Sequence, residues 1–170
     1  MKTAYLTAAL AAATATLGVI SIGAAQTRLP PEIEAAGETA FLTLHAEGAQ
    51  IYECKATDGK LGWSGREPIA TLILDGKTVG WHGVGPAWDL TDGSSLTGKI
   101  LAVVPAPTGD KDVPWVKLQV ASSRGNGKLT GATTIQRINT VGGKASGTCT
   151  KAGELQSVAY STDYVFSKKP

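Results

Sequence analysis

The sequence predicts an all-β fold, a single-domain antiparallel β-sandwich or closed β-barrel of about nine or ten strands with one disulfide. Three observations support this prediction. Several segments alternate with a period of two, which places successive side chains on opposite faces of a strand. The 21 glycines among 170 residues supply the tight turns that many short strands need. After residue 25, no segment keeps an apolar 3.6-residue period over the length of a helix.

The predicted strands follow one another from residue 38 onward. Residues 41–46 alternate between two faces, and a turn at Gly48 separates them from a strand at 51–55. Asp75 and Gly76 form a hairpin signal, because glycine accepts the positive φ that a two-residue turn requires. Before residue 38, only residues 31–37 could hold a turn of helix. The other predicted strands are 69–74, 78–82, 96–104, 115–121, 133–141 and 158–166.

The first 25 residues have the pattern of an export signal. Lys2 supplies a positive charge, an apolar stretch without charge follows, and Gly23 and Ala25 are placed for cleavage before Gln26. The stretch is rich in alanine and threonine, so an uncleaved membrane anchor is the weaker interpretation. We therefore predict a signal peptide at 1–25, an extended lead-in at 26–37 and one β domain at 38–170, in a secreted or periplasmic protein.

The charge of the predicted mature chain favours neither nucleic acid nor an anionic membrane surface as a partner. Removal of Lys2 leaves 15 basic and 14 acidic residues, and the basic residues are not clustered as those partners require. No second apolar stretch approaches the length that spans a bilayer, so we expect no integral membrane segment in the mature chain.

The predicted mature chain contains two cysteines, Cys54 and Cys149. In an oxidising compartment, an even pair with no third cysteine most simply forms one disulfide. A metal or redox pair is the weaker alternative, because two thiols 95 positions apart fit neither a CxxC motif nor a zinc site. The disulfide would close a loop of 96 residues, counted inclusively.

The sequence contains no recognisable catalytic or cofactor motif. The glycines of 125–131 have GxGxxxG spacing and join two predicted strands, so the helix that a dinucleotide site needs is missing. Neither a phosphate-binding loop nor a GxSxG elbow occurs. The spacing of His45 and His82 fits no metal motif. No pair stands out among the candidate carboxylates, which are Glu53, Glu67, Asp89 and Asp92. We expect no catalytic set, no metal and no cofactor.

Residues 79–93 are the segment most suited to binding. They place Trp81, His82, Trp88 and Asp89 among glycines and a proline, which lets a partner approach the backbone closely. Tryptophan offers a flat apolar face and one N–H donor, as sites for sugars and aromatic molecules often do. The sequence therefore indicates a glycan or an aromatic small molecule as the ligand. The alternative is that these tryptophans, with Trp63 and Trp115, fill the core.

A series of motifs along the chain occurs in the same order in one known family. These motifs are GAQIYECKA (48–56), Trp63, Pro68, GWHGVGPAWDLTDGS (80–94), Pro114-Trp115, TTIQRINTVGG (133–143), Cys149 and AYSTDYVF (159–166). In them the chain resembles a bacterial and fungal family of exported proteins known as a domain of unknown function. The resemblance implies a secreted, β-rich domain with cysteines at the positions of Cys54 and Cys149, and implies no activity. Gly83 departs from the family pattern, in which an aromatic residue commonly follows His82. If that aromatic residue shapes a ligand site, Trp81 is placed to compensate.

We expect a non-enzymatic binding or cell-envelope-associated protein. One alternative is an extracytoplasmic hydrolase in which His82 is the general base, supported by Asp89 or Asp92. The other alternative is a structural or surface-coat protein, which would present an exposed sheet edge for assembly.

Overall fold

The computed structural model describes residues 29–170, so the predicted signal peptide lies outside the described residues. A single 3₁₀ turn, Pro31–Ile33, precedes the strands. The strands are β1 (Thr39–Thr57), β2 (Lys60–Leu74), β3 (Lys77–Gly83), β4 (Ala87–Leu90), β5 (Ser95–Val104), β6 (Trp115–Arg124), β7 (Thr134–Gly142) and β8 (Leu155–Lys168). No helix among these residues is long and apolar enough to cross a membrane.

The eight strands form one closed antiparallel barrel. Each strand pairs with the next in sequence, and β8 pairs with β1 to close the ring. The prediction of an all-β antiparallel fold is therefore confirmed, and the barrel is the alternative that the chain adopts. The strands number eight, slightly fewer than expected, mainly because β1 is one long strand.

Gly48 lies inside a strand and does not form the predicted turn. It pairs with Ala70 on one side and with Tyr160 on the other, so β1 continues through it. A Cβ at this position would overlap the carbonyl oxygen of Ile69 and lie 2.6 Å from the Ala70 Cα. The glycine is needed here because the neighbouring strand approaches closely, a role that sequence alone does not distinguish from a turn.

The barrel interior has an apolar lower half and a more polar upper half. We define the upper end as the end that carries the connections after β1, β3, β5 and β7. The side chains that fill the lower half are aliphatic or aromatic, and they are Leu44, Leu72, Leu90, Leu96, Leu129, Ile135 and Phe166. Gln50, His82, Arg137 and Tyr164 lie nearer the upper end.

The predicted disulfide between Cys54 and Cys149 is present, with a Cα–Cα distance of 5.8 Å. Cys54 lies near the end of β1, and Cys149 belongs to the connection between β7 and β8. Two backbone hydrogen bonds support the same junction: Cys54 N–H donates to the Glu154 oxygen, and Gly153 N–H donates to the Cys54 oxygen. The bond therefore ties the last upper connection to β1.

The residues before β1 pack against the outside of the barrel. Ile33 is fully buried, and Gln136 Nε2 donates a hydrogen bond of 2.6 Å to its carbonyl oxygen. Lys117 Nζ donates to the Glu34 oxygen at 3.1 Å. These contacts cover part of the outer face of β6 and β7.

Candidate functional site

The four candidate residues of the 79–93 segment divide into two pairs on opposite faces of the sheet. In the register of β3 and β4, His82 pairs with Trp88 and Trp81 pairs with Asp89. Because successive side chains of a strand alternate, His82 and Trp88 point into the barrel and Trp81 and Asp89 point outward. Trp88 is fully buried, whereas Trp81 is 56% exposed. The structure thus brings the four together in pairs and does not place them on one surface.

His82 and Trp88 form a stacked pair in the upper interior. Their ring centroids are 4.6 Å apart, and Tyr164 packs against both rings. His82 Nδ1–H donates to the carbonyl oxygen of Ala87 at 2.7 Å. Burial lowers the pKa of His82 to about 4; the hydrogen bond to Ala87 opposes this effect, and the charge of Arg137 adds to it. The imidazole is therefore neutral at neutral pH, with its Nε2 lone pair available.

A cavity of about 90 Å³ lies beside this pair. Its polar wall consists of Gln50, His82, Arg137 and Tyr164. Its apolar wall consists of Pro68, Pro86, Trp88, Ile100, Val116 and Leu118. Ile100 is 52% exposed, so the cavity extends to the surface at this point. No aspartate or glutamate of the described chain lines it.

Several buried polar atoms at or beside this cavity lack a well-formed hydrogen bond within the protein. Gln50 Nε2 and Tyr164 Oη at the wall, and Tyr160 Oη beside it, form no hydrogen bond of good geometry with any residue from 29 to 170, although these side chains and Arg137 lie close enough to influence the pKa values of the two tyrosines. Burial raises the pKa of Tyr160, and burial together with the neighbouring Tyr160 raises the pKa of Tyr164 well above its ordinary value. Both hydroxyls therefore keep their protons and can donate hydrogen bonds.

Arg137 is the only side chain charged at neutral pH among the described residues that line the cavity. Its Nε and Nη2 atoms donate to the carbonyl oxygen of Pro114, at 3.2 and 2.8 Å. Within residues 29–170, no carboxylate forms an ion pair with it. The cavity therefore contains a cation whose charge is not compensated by the protein.

On the outside of the same strands lies a second concave surface, here called the outer groove. Its exposed apolar residues are Ile69, Trp81 and Val84, and its volume is about 610 Å³. Glu47 and Glu67 also line it. Gly83 lies on this groove as well, and a Cβ there would meet no other atom within 4 Å. Asp89 is not part of the groove; it faces Arg124 at 3.7 Å.

None of the other carboxylates proposed from the sequence forms a hydrogen bond or an ion pair with His82. Asp92 is in the lower connection between β4 and β5, where it accepts hydrogen bonds from Ser94 and from Lys128 N–H. Glu53 is paired with Lys55 at 3.6 Å, and Glu67 with Arg66 at 3.2 Å. None of these carboxylates lines the interior cavity.

His45 lies on the outer face and takes part in a small polar network that sequence reasoning missed. Its Nδ1 donates to Asp163 at 2.9 Å, and Asn139 Nδ2 donates to the other oxygen of the same carboxylate at 2.8 Å. The two histidines thus lie on opposite faces of the sheet. Residues 29–170 contain no group of three or more histidine, cysteine or acidic side chains that could hold a metal ion.

Sequence reasoning also missed Gln50 and Arg137 as interior residues. The alternation of residues 158–166 placed Tyr160 and Tyr164 on one face of a strand, as the structure has them. No comparable signal marked Arg137, because an arginine in a strand ordinarily faces solvent. One signal could have indicated that the Arg137 side chain points into the barrel: Arg137 lies two residues after the buried Ile135, on the same face of β7.

Residues 73–168 match the family model described as "Protein of unknown function (DUF3455)". This range is more than half of the chain. The chain belongs to this family. The DUF3455 match includes His82, Trp88, Arg137 and Tyr164, whereas Gln50 and Cys54 precede it. No curated protein and no solved structure matches the chain.

Proposed function

We propose that this is an exported small-molecule binding protein that holds its ligand in the cavity of the upper barrel. Export is supported by the pattern of residues 1–25. It is also consistent with the Cys54–Cys149 disulfide, since disulfides persist mainly in oxidising compartments. Eight-stranded barrels are wide enough inside to hold one small ligand, which agrees with the proposed role.

One observation carries the binding proposal: Gln50 Nε2 and Tyr164 Oη at the wall of the 90 Å³ cavity, and the neighbouring Tyr160 Oη, lack well-formed hydrogen bonds within the protein. A buried polar atom without a hydrogen bond costs about 1–3 kcal/mol. Three such atoms in one place are expensive for a purely structural interior, where phenylalanine or leucine would pack without that cost. A ligand with hydrogen-bonding groups would satisfy them.

His82 and Trp88, the inward pair of the predicted site, would form the side of the cavity on which the ligand stacks. The volume of 90 Å³ is below the ~150 Å³ known to hold the six carbon atoms of benzene, so the enclosed part of the ligand has roughly four non-hydrogen atoms. A glycan or a larger aromatic ring would instead need the outer groove, where Trp81 is 56% exposed. The two surfaces can be tested separately.

The test is to titrate the protein with a panel of small acids, amides and alcohols and to follow binding by calorimetry and ligand-observed NMR. We expect one-to-one binding of at least one class to the wild type. Val116→Phe should abolish this binding by filling the cavity. If Val116→Phe does not fold, the smaller change Val116→Leu takes its place and should weaken the binding. Trp81→Ala is the matched control on the outer face and should leave this binding unchanged.

Two results would contradict the proposal. The first is that no member of the panel binds to the folded wild type. The second is that binding persists in the folded Val116 variants and is lost in Trp81→Ala, which would assign the ligand to the outer groove.

A further inference from the structure

The charge at the cavity wall selects the class of ligand. Arg137 contributes a permanent positive charge, and no carboxylate of the described chain is paired with it or lines the cavity. The carbonyl oxygen of Pro114 accepts two of its N–H groups but carries no formal charge. A partly buried charge without a counter-charge is costly, and an anionic ligand would relieve that cost.

Most of the unpartnered atoms at or beside the polar wall can donate hydrogen bonds, and the Nε2 lone pair of His82 is an acceptor at the same wall. Gln50 Nε2 is a donor only, and so is the Arg137 guanidinium. The hydroxyls of Tyr160 and Tyr164 are protonated and can donate as well. A group that matches this wall must therefore accept several hydrogen bonds, and a carboxylate accepts only.

The opposite wall excludes an ion that is polar on all sides. Val116 and Leu118 line the cavity with aliphatic side chains, and Trp88 lines it with an indole whose single polar atom, Nε1, also has no hydrogen-bond partner among residues 29–170. Phosphate or sulfate would leave oxygen atoms against this wall without hydrogen bonds, which is unfavourable. A short alkyl group fits there, and the volume of 90 Å³ leaves room for roughly four enclosed non-hydrogen atoms.

We infer that the ligand is a small organic monocarboxylate, with its carboxylate toward Arg137, Tyr164 and Gln50 and its apolar part toward Trp88 and Leu118. This inference rests on the proposed function and makes it more specific. It also predicts that the cavity limits the size of only the enclosed part of the ligand, because the opening beside Ile100 leaves space for a longer alkyl tail.

The experiment compares propionate with propionamide, which has nearly the same shape and no charge. We expect propionate to bind about 10- to 100-fold more tightly, since a hydrogen bond to a charged group contributes that much to affinity. Sulfate at the same ionic strength should not compete. Arg137→Gln should remove most of the preference for propionate, whereas Arg137→Lys should keep part of it.

Tyr164→Phe provides a second test that remains usable if the Arg137 variants do not fold correctly. It removes only an unpartnered hydroxyl, and we expect the propionate affinity to fall about tenfold. Tyr52→Phe is the matched control: the Tyr52 hydroxyl donates to the Gly143 oxygen at 2.8 Å and is not part of the cavity wall. This variant should bind propionate as the wild type does.

The outcomes separate the two proposals. If propionamide binds as tightly as propionate, the carboxylate inference is wrong and the binding function stands. If propionate binds and Tyr164→Phe and Arg137→Gln leave its affinity unchanged, the inference is also wrong, because the carboxylate is elsewhere. If neither molecule binds and the wider panel also fails, the cavity holds only water and both proposals fall.

Discussion

The imidazole of His82 stacks on the indole of Trp88, with an interplanar angle of 17°. The two residues are register partners on β3 and β4, so the contact is set by strand pairing. The stack buries an ionisable ring that solvent would otherwise protonate near its ordinary pKa of 6.5. This burial makes the stability of the protein depend on pH.

We predict that the free energy of unfolding falls as the pH decreases from about 6.5 to 4. Burial lowers the pKa of His82 from 6.5 to about 4 in the folded state. Between these values the unfolded chain binds a proton that the folded chain does not, so stability is full above 6.5 and is lost as the pH falls toward 4. The difference amounts to roughly 3 kcal/mol. Urea unfolding at several pH values measures it.

His82→Asn is the control for that pH dependence. The asparagine amide can still donate to the Ala87 oxygen but does not titrate. The difference in free energy of unfolding between wild type and variant should therefore change by roughly 3 kcal/mol as the pH falls from about 6.5 to 4. A wild type and variant with parallel pH profiles would show that His82 is not the group responsible.

Gly80→Ala should destabilise the barrel by about 1–3 kcal/mol, because overpacking forces backbone shifts. A Cβ at Gly80 would overlap the Asp89 carbonyl oxygen and lie 2.8 Å from the Leu90 Cα. Gly83→Ala, on the same strand, is the matched control, because its Cβ would meet nothing within 4 Å. Chemical denaturation compares the two. Equal effects would mean that β3 tolerates a side chain at Gly80.

Tyr164→Phe should leave the unliganded protein as stable as the wild type or more so. The Tyr164 hydroxyl is buried and has no protein partner, so its removal avoids an unsatisfied group. Tyr52→Phe should instead lose about 1 kcal/mol, because it removes the hydrogen bond to the Gly143 oxygen. Thermal and urea unfolding measure both. A large loss of stability in Tyr164→Phe would show that its hydroxyl is satisfied inside the barrel.

Asp92→Asn should lower the free energy of unfolding by about 1–2 kcal/mol at neutral pH. The single amide oxygen cannot accept the hydrogen bonds from both Ser94 and Lys128 N–H, which now reach different oxygens of the carboxylate. Partial desolvation acts to raise the pKa of Asp92, but hydrogen bonds from Ser94 and Lys128 outweigh it and lower the pKa to about 2. The contribution is thus present above the ordinary value of 3.8 and is lost as the pH falls toward 2.

Asp89→Asn is the matched control for Asp92. Asp89 makes one ion pair of 3.7 Å with Arg124, and both side chains are largely exposed. Its loss should change stability by less than about 0.5 kcal/mol. Denaturation at pH 7 and at pH 3 would test both variants. The prediction for Asp92 is wrong if the two variants are equally stable at neutral pH.

Replacing both Cys54 and Cys149 with alanine should lower the free energy of unfolding by roughly 4–5 kcal/mol, since the disulfide closes a loop of nearly 100 residues. The separation of the two cysteines is 95 residues. Unfolding of the wild type with and without reductant gives an independent measure. An unchanged urea midpoint in reductant would contradict this prediction.

Sequence patterns were informative where one face of a strand is buried. The alternation of residues 158–166 located β8 and its inward tyrosines, and the Asp75-Gly76 signal located the turn between β2 and β3, where both residues have positive φ. The pattern failed at Gly48, because a glycine required by a close strand contact has the same sequence signature as one in a turn.

The composition of the cavity could not be predicted, because it depends on pairings between strands distant in sequence. Arg137 faces the cavity through its register with Tyr164 on β8 and with Val116 on β6. Residue type alone predicts that an arginine is exposed, and it predicts the same degree of burial for Trp81 and Trp88. The closure of the barrel decides that Trp88 faces inward and Trp81 faces outward.

The connection that carries Cys149 also lies over the polar interior. Gly143, at its beginning, is packed so closely that a Cβ would lie 3.2 Å from the Gln50 side chain and 2.8 Å from that of Tyr160. The sulfur bridge holds the far part of this connection to β1, at the end of the barrel opposite the apolar lower half. Under the proposed binding function, reduction of the bridge would release this part of the connection and speed the dissociation of a ligand from the polar interior.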